Sequence, residues 1–275
     1  MRVEKYQVKK ILNISKHIDG GWFWTKYSAH PYIGCQYGCR YCYYWGTKYS
    51  PYKDDYESFA THIKVKENVA ELLAKELKKV PVDIINIGDW QPVELKYHLS
   101  RKMLQVCYEL GFPVFLLEKS PLVVNDLDLI KKIDEKSGVI AGFSIITARD
   151  DRTRMIFEPN TPSVKSRFSA MKKLAQVGIM TGTVMMPILP FIYDDENNIE
   201  AVTKMTKEAG GQFILAAGLT LEQGSVLRQK YWQLIEENFP ERIANSKTIF
   251  QGDEGQELYC PRAEHWLKIQ AIVNK

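Results

Sequence analysis

Cysteine is scarce in this sequence: five residues in 275 cannot build a disulfide scaffold for a chain of this length. Long apolar runs are lacking as well. The N-terminal segment MRVEKYQVKKILNISKHIDG carries basic residues but only the short apolar stretch Ile11 to Ile14, which excludes a signal-peptide core. Residues 174 to 193 contain no charge, yet Gly178, Gly182, Pro187 and Pro190 interrupt them, with Gln176, Thr181 and Thr183 between. They read as the end of a helix, a turn, a buried strand and a loop rather than a membrane span. Net charge is small, +4 from 37 basic and 33 acidic residues, so it demands neither a nucleic acid nor an anionic substrate. Countable repeats and low-complexity segments are absent. The expectation is a cytoplasmic protein with no membrane partner.

What is present is enough apolar material for a large core. The chain is 45% hydrophobic with ordinary glycine and proline contents, which allows one large α/β domain or two small ones. Apolar spacing predicts helices over residues 68 to 79, with Asn68 as cap, and 100 to 110, stopped by Gly111. Further helices are expected from Asn125 to before Gly138, from Val164 to Val177 and over 197 to 209. Short apolar runs of strand type lie between them at Asp83 to Ile87, Pro113 to Leu117, Val139 to Ile146, Ile179 to Met186 and Gln212 to Ala216. Another, Lys26 to Tyr32, leads into the cysteines. Six alternations of strand and helix with short joints argue for parallel βα units, in a barrel or a doubly wound sheet. Helical stretches near 223 to 238 and 262 to 273 read as an appended cap.

Three of the five cysteines fall within eight positions. Cys35, Cys39 and Cys42 stand in the segment HPYIGCQYGCRYCYYWGTKY with C-x3-C-x2-C spacing, just after the first strand. Thiolates suit iron–sulfur clusters or zinc. A closed structural zinc site needs four ligands, and Cys107 and Cys260 are distant in sequence. Three thiolates on a cubane leave one iron open, which is the mark of a metal site that does chemistry. Gly34 and Gly38 let the loop fold tightly.

This spacing, with the aromatic Tyr41 directly before the last cysteine, resembles the signature of the radical S-adenosylmethionine (SAM) superfamily. The stretches PYIGCQYGCRYCYY, GDWQPVE, LLEKSPLVVNDLDLI and FEPNTPSVKSRFSAM are similar to the branch that contains spore photoproduct lyase and relatives labelled DNA repair photolyases. The resemblance covers roughly residues 26 to 220. It implies a partial (β/α)6 TIM-type barrel over 26–220, between an N-terminal extension, 1–25, and a C-terminal helical cap, 221–275. It also implies a 4Fe–4S cluster on the three cysteines with SAM chelated at the open iron. Reductive cleavage there would give a 5′-deoxyadenosyl radical that takes a hydrogen atom from a substrate. The electron would come from an external donor of ferredoxin or flavodoxin type.

By the same resemblance Tyr41 lies against the adenine, or else is a packed loop aromatic. Gly88 and Asp89 hold the cofactor's amino group, or form a simple turn. Lys119 pairs with its carboxylate, or is a solvated loop lysine. Ser144 meets ribose or carboxylate, or is satisfied within its sheet. Arg167 holds a carboxylate, or is an exposed helix arginine paired with Glu158. His30 is expected to tie down the cluster loop, with a fourth iron ligand as the alternative. Cys107 faces the core of its helix, and Cys260 has no assigned role.

Spore photoproduct lyase has a cysteine hydrogen-atom donor near the end of its second strand; Asn86 to Asp89 here contain none. A tyrosine would have to serve instead. Three functions therefore stand side by side: a radical SAM enzyme with an unassigned substrate, a nucleic-acid repair lyase, and a non-catalytic zinc-stabilised binding protein. The run Tyr41, Tyr43, Tyr44, Trp45, Lys48, Tyr49, Tyr52 and Lys53 reads as a base-stacking surface or as a lid over the cluster. No cysteine-rich C-terminal region exists to carry auxiliary clusters, and no vitamin B12 domain is apparent.

Overall fold

Ten strands form two sheets in the computed structural model, which describes residues 1–16, 25–46, 50–52, 55–252 and 256–273. In chain order they are β1 Arg2–Tyr6, β2 Asn13–Ile14, β3 Tyr27–Ala29, β4 Tyr32–Ile33, β5 His62–Lys66, β6 Ile85–Ile87, β7 Val114–Glu118, β8 Val139–Ser144, β9 Met180–Ile188 and β10 Phe213–Gly218. The main sheet runs β10-β9-β8-β7-β6-β3-β2. Six neighbours from β3 to β10 are parallel, and only β2 is antiparallel to its partner. The outer strands β10 and β2 do not meet, so the sheet curves as a partial barrel and stays open.

Parallel strands covered by helices are buried on both faces, so they carry continuous apolar runs. From β8 onward Ala141, Gly142, Phe143, Ser144, Ile145 and Ile146 are buried in succession, on both faces, and Ile140 is half-buried. The covering helices Val69–Leu77, Leu99–Leu110, Leu127–Ser137, Val164–Gln176 and Glu196–Glu208 fall close to the expected spans. Their inward faces carry Leu73, Met103, Ile130, Met171 and Val202. Cys107 lies on such a face, fully enclosed. The uncharged stretch 174 to 193 is the end of a helix, a turn and β9, and no described helix is long and apolar enough to cross a membrane.

Two expectations change. The run Lys26 to Tyr32 is not one strand: β3 joins the main sheet, whereas β4 pairs with β5 in a second sheet ordered β1-β5-β4. Pro31 separates them, because it has no N–H to continue a ladder; its carbonyl accepts from Lys66 N at 3.0 Å. Asn68 precedes its helix but does not cap it. Its amide instead pairs with the backbone of Val8 in both directions, at 3.0 and 2.9 Å. The first residues of the chain are thereby fixed to the segment that follows the cysteines.

Candidate functional site

The cysteine loop leaves β4 at the end of the main sheet where the parallel strands terminate at their carboxyl ends, the usual place for chemistry in such folds. Its first half is held by an amide. Gln91, fully buried in the loop after β6, donates from Nε2 to the carbonyl of Gly34 at 3.0 Å and accepts from Gln36 N at 2.9 Å. These are the two neighbours of Cys35. Cys35 N also donates to Phe59 O at 2.9 Å. Gly34 has φ +85°, and a Cβ there would stand 2.8 Å from His62 O and 2.9 Å from Phe59 O, so no other residue fits this approach. The second half is held by Arg40 N donating to Phe157 O at 2.8 Å.

Within the loop Gly38 N donates to Cys35 O and Cys42 N to Cys39 O, both at 3.1 Å, so the chain coils around the three thiols. The sulfurs are solvated by protein: Cys35 accepts a backbone N–H from Tyr37, and Cys42 accepts from Tyr44 and Trp45. Burial pushes all three thiols up, Cys39 to about 12 although Lys119 opposes the rise. A thiol so placed ionises when a metal supplies the charge. The donors are all soft sulfur, three in number and mutually close enough to influence one another. Among the described residues no three His, Cys, Asp or Glu side chains converge on one ion. A cubane takes each thiolate at a separate iron and so fits donors that are spread.

Beside Cys39 lies a buried ionic network. Glu158, wholly enclosed, accepts from Arg167 Nη2 at 2.5 Å and from Thr161 Oγ1 at 3.3 Å, and the Tyr41 hydroxyl donates to its other oxygen. Lys119 Nζ stands 3.7 Å from that same oxygen and donates to Ser144 Oγ. Burial works against the Glu158 charge, but Lys119 and then Arg167 overcome it and hold the carboxyl at about 2. Arg167 is not the exposed helix residue that one reading allowed. It is fully buried, and Nε and Nη1 donate to Pro162 O and Ser144 O, each at 3.0 Å. Its guanidinium is thus committed inside the protein, pairing with Glu158 as that reading also held.

On the other side of Cys35 the groups are acidic. Gly88, with φ +93°, is where the backbone passes against the Trp90 ring, and Asp89 follows it. The Asp89 carboxylate accepts from Gln91 N at 3.2 Å and Gln91 Nε2 at 2.8 Å. Burial raises it to about 7. Glu118, at the end of β7, faces it, and burial and then Asp89 push this second carboxyl well above its usual range. His30 Nδ1 donates to Gly88 O at 3.0 Å, tying β3 to the end of β6, and burial favours its neutral form. Lys66 donates to His30 O at 2.7 Å, and burial lowers it to about 8.

The structure therefore brings Tyr41, Lys119, Ser144 and Arg167 into one cluster and sets Gly88 and Asp89 on the opposite flank of the cysteines. Lys119 is not a solvated loop lysine, since its side chain is 15% exposed. Tyr41, Trp45 and Tyr52 are buried, whereas Tyr43 is 58% exposed and Tyr44 38% exposed. Lys48, Tyr49 and Lys53 lie outside the described residues. Cys260 is half-buried and distant in the chain from the loop. Sequence reasoning assigned no role to Gln91, Glu118 or Thr161 and saw Glu158 only as a partner. GDWQPVE and FEPNTP were noticed as stretches, but nothing in them tells a buried amide or carboxylate from an exposed one.

Known proteins resemble this chain in sequence and in fold. An uncharacterized protein of Methanocaldococcus jannaschii is 29% identical over 254 residues, which are 91% of this chain and 90% of that one. Another, of Mycobacterium tuberculosis, is 24% identical over 236 residues, 82% of this chain and 67% of that one. Spore photoproduct lyase complexed with dinucleoside spore photoproduct superposes with a TM-score of 0.68 at 18% identity, over 99% of this chain and 77% of that chain. A mutant of that lyase with bound AdoMet and the dinucleoside gives 0.66 at 18% identity, with the same coverage. That likeness is one of fold. The profile of the Radical SAM superfamily matches residues 30–201, more than half of the sequence and the whole of the cysteine loop, and the chain belongs to this superfamily of enzymes.

Proposed function

We propose that the chain holds a 4Fe–4S cluster on Cys35, Cys39 and Cys42 and uses it with SAM for hydrogen-atom abstraction from a substrate. The observation that carries this reading is the loop itself: three sulfur donors in one short coil of chain, pinned by Gln91 to the loop after β6 and by Phe157 to the end of the helix Arg152–Phe157. When bound, the cluster and SAM supply a one-electron reductive cleavage that makes hydrogen abstraction possible. The residues do the rest. Lys119 offers an ammonium beside Cys39 for a carboxylate, and Ser144 orients it. Asp89 and Glu118 offer acceptors on the Cys35 side for an ammonium. Tyr41 and Trp45 wall the loop from water, so charge acts in a low dielectric. The electron enters from an external donor of ferredoxin or flavodoxin type.

The test is chromatography for 5′-deoxyadenosine after anaerobic reconstitution, dithionite and SAM. Product in the wild type and none in Cys39→Ala is the expected result. Zinc without iron in the reconstituted protein would refute the assignment.

A nucleic-acid lesion as substrate is a second reading, favoured by the exposed rings of Tyr43 and Tyr44 directly after Cys42. The similarly folded lyase holds a dinucleoside photoproduct, which points the same way. Against a strict likeness, Asn86 to Asp89 contain no thiol and Cys107 is sealed in the core. Steeply salt-dependent DNA binding is expected on this reading, and flat or absent binding in a salt titration would remove it.

A further inference from the structure

On the reading that the three cysteines hold the cluster, we propose that Glu158 is a positioning residue that fixes the Tyr41 ring and the Lys119 ammonium relative to one another, so that SAM is received in one place. Glu158 begins the turn after the helix Arg152–Phe157, directly beyond the carbonyl that pins Arg40. Its two oxygens are divided between two sets of partners. Oε2 faces inward, to Arg167 and Thr161. Oε1 faces the cysteine loop, to the Tyr41 hydroxyl and Lys119. The inward set is closed, because Thr161 is in turn fixed by Arg154 Nη1 at 2.8 Å and by Arg167 Nη2 at 2.6 Å. Oε1 is therefore a fixed point in the protein, and whatever bonds to it is fixed too.

Tyr41 is tied to that point at its far end while its backbone lies between Cys39 and Cys42. A ring held at both ends has one orientation. Lys119 Nζ sits over this ring, 5.7 Å from its centroid. Its bond to Ser144 uses one of its three N–H groups, and the Glu158 charge steers the ammonium from 3.7 Å without a hydrogen bond, so N–H groups remain for a ligand. The charges point the same way. Lys119 and Arg167 bring two positive charges and Glu158 one negative, so the enclosed network has one positive charge in excess beside Cys39. The Cys39 thiolate of the proposed cluster lies against this charge, and the carboxylate of SAM is a second anion that the Lys119 ammonium can take.

A simple brace predicts something different from a positioning residue. The experiment uses the full chain, reconstituted anaerobically, with iron per chain, SAM affinity by equilibrium dialysis and the electron paramagnetic resonance spectrum of the reduced cluster with and without SAM. Tyr41→Phe keeps the ring and removes only its anchor. It is expected to retain wild-type iron, to bind SAM about tenfold more weakly, and to lose part of the spectral change that SAM produces in the wild type. Glu158→Gln is expected to show the larger loss, and Glu158→Asp, which keeps the charge, to recover part of it. Iron-loaded Tyr41→Phe and Glu158→Asp proteins with wild-type affinity and spectrum would overturn the proposal and leave the cluster assignment standing. Iron lost in step with unfolding, at unchanged affinity per loaded chain, would equally reduce Glu158 to a brace. A wild type that takes up no iron would remove both.

Discussion

Two apolar regions of this molecule differ in what they are made of and in where their residues come from. The first lies between the main sheet and its helices and is mainly aliphatic, with Ile85, Val114, Leu116 and Ala141 beside Leu104, Ile130 and Ile133 and a minority of rings such as Phe112 and Phe143. Its members arrive at the spacing of strands and helices. The second surrounds the cysteine loop and is rich in rings: Tyr37, Tyr41, Trp45, Phe59, Phe157 and Phe239 among others, with the three cysteines packed in it. Its members come from turns, from the short helices that carry Trp45, Phe59 and Phe157, and from the later helix Val226–Asn238, and Phe157 stacks on Phe239 with centroids 5.9 Å apart. The first region makes the fold. The second makes an enclosure, and its contents are held by polar clamps as much as by packing.

The largest expected effect is on the second region. Phe157→Ala removes a wholly buried ring that stacks on Phe239, and a loss of about 3–5 kcal/mol of stability is expected. Iron per folded chain is expected to drop with it, because the same residue's carbonyl holds Arg40. Unchanged iron, measured beside the denaturation midpoint, would show that the two regions are not coupled there. Ile133→Ala acts on the first region alone. A loss of about 2–5 kcal/mol is expected, with iron per folded chain as in the wild type.

A pH experiment sharpens the contrast further. The Glu158 carboxyl is depressed to about 2 in the folded chain, so its contribution to stability is fully present above its ordinary value of 4.5 and is lost as pH falls through that window. The stability gap between wild type and Glu158→Gln is expected to shrink between pH 4.5 and 2. A gap that does not change with acid would mean that the network does not carry the charge assigned to it. The smallest effect is expected from Cys260→Ala, which should leave iron content at the wild-type value. Loss of iron there, by colorimetric assay, would add a ligand from the C-terminal region.

The same contrast explains what could be read from the sequence. The aliphatic region announces itself, because a strand buried on both faces and a helix buried on one leave periodic marks at Val139 to Ser144 or at Met103, Val106 and Cys107. The cysteine loop stands out for a different reason: soft donors at C-x3-C-x2-C spacing have few uses other than holding a metal. The ring-lined enclosure left no such mark. Glu158 and Gln91 sit in irregular segments, where no period separates inward from outward, and each meets the cysteine loop across a long stretch of chain, Gln91 at Gly34 and Gln36 and Glu158 at Tyr41. The small sheet escaped notice because β1, with the pattern of Arg2 to Tyr6, offers polar residues on both faces. Pro31, visible as a ladder breaker, was the one local hint that β3 and β4 part company.

The clamps on the cysteine loop are made of protein atoms only. Gln91 reads the backbone on both sides of Cys35, and Phe157 holds Arg40, without help from any metal. On the proposed cluster, oxygen that stripped the iron would leave this template behind, with the thiols still in register. Recharging such a chain with iron and sulfide would then be a filling reaction and not a refolding one, reversible for as long as the sulfurs themselves stay reduced.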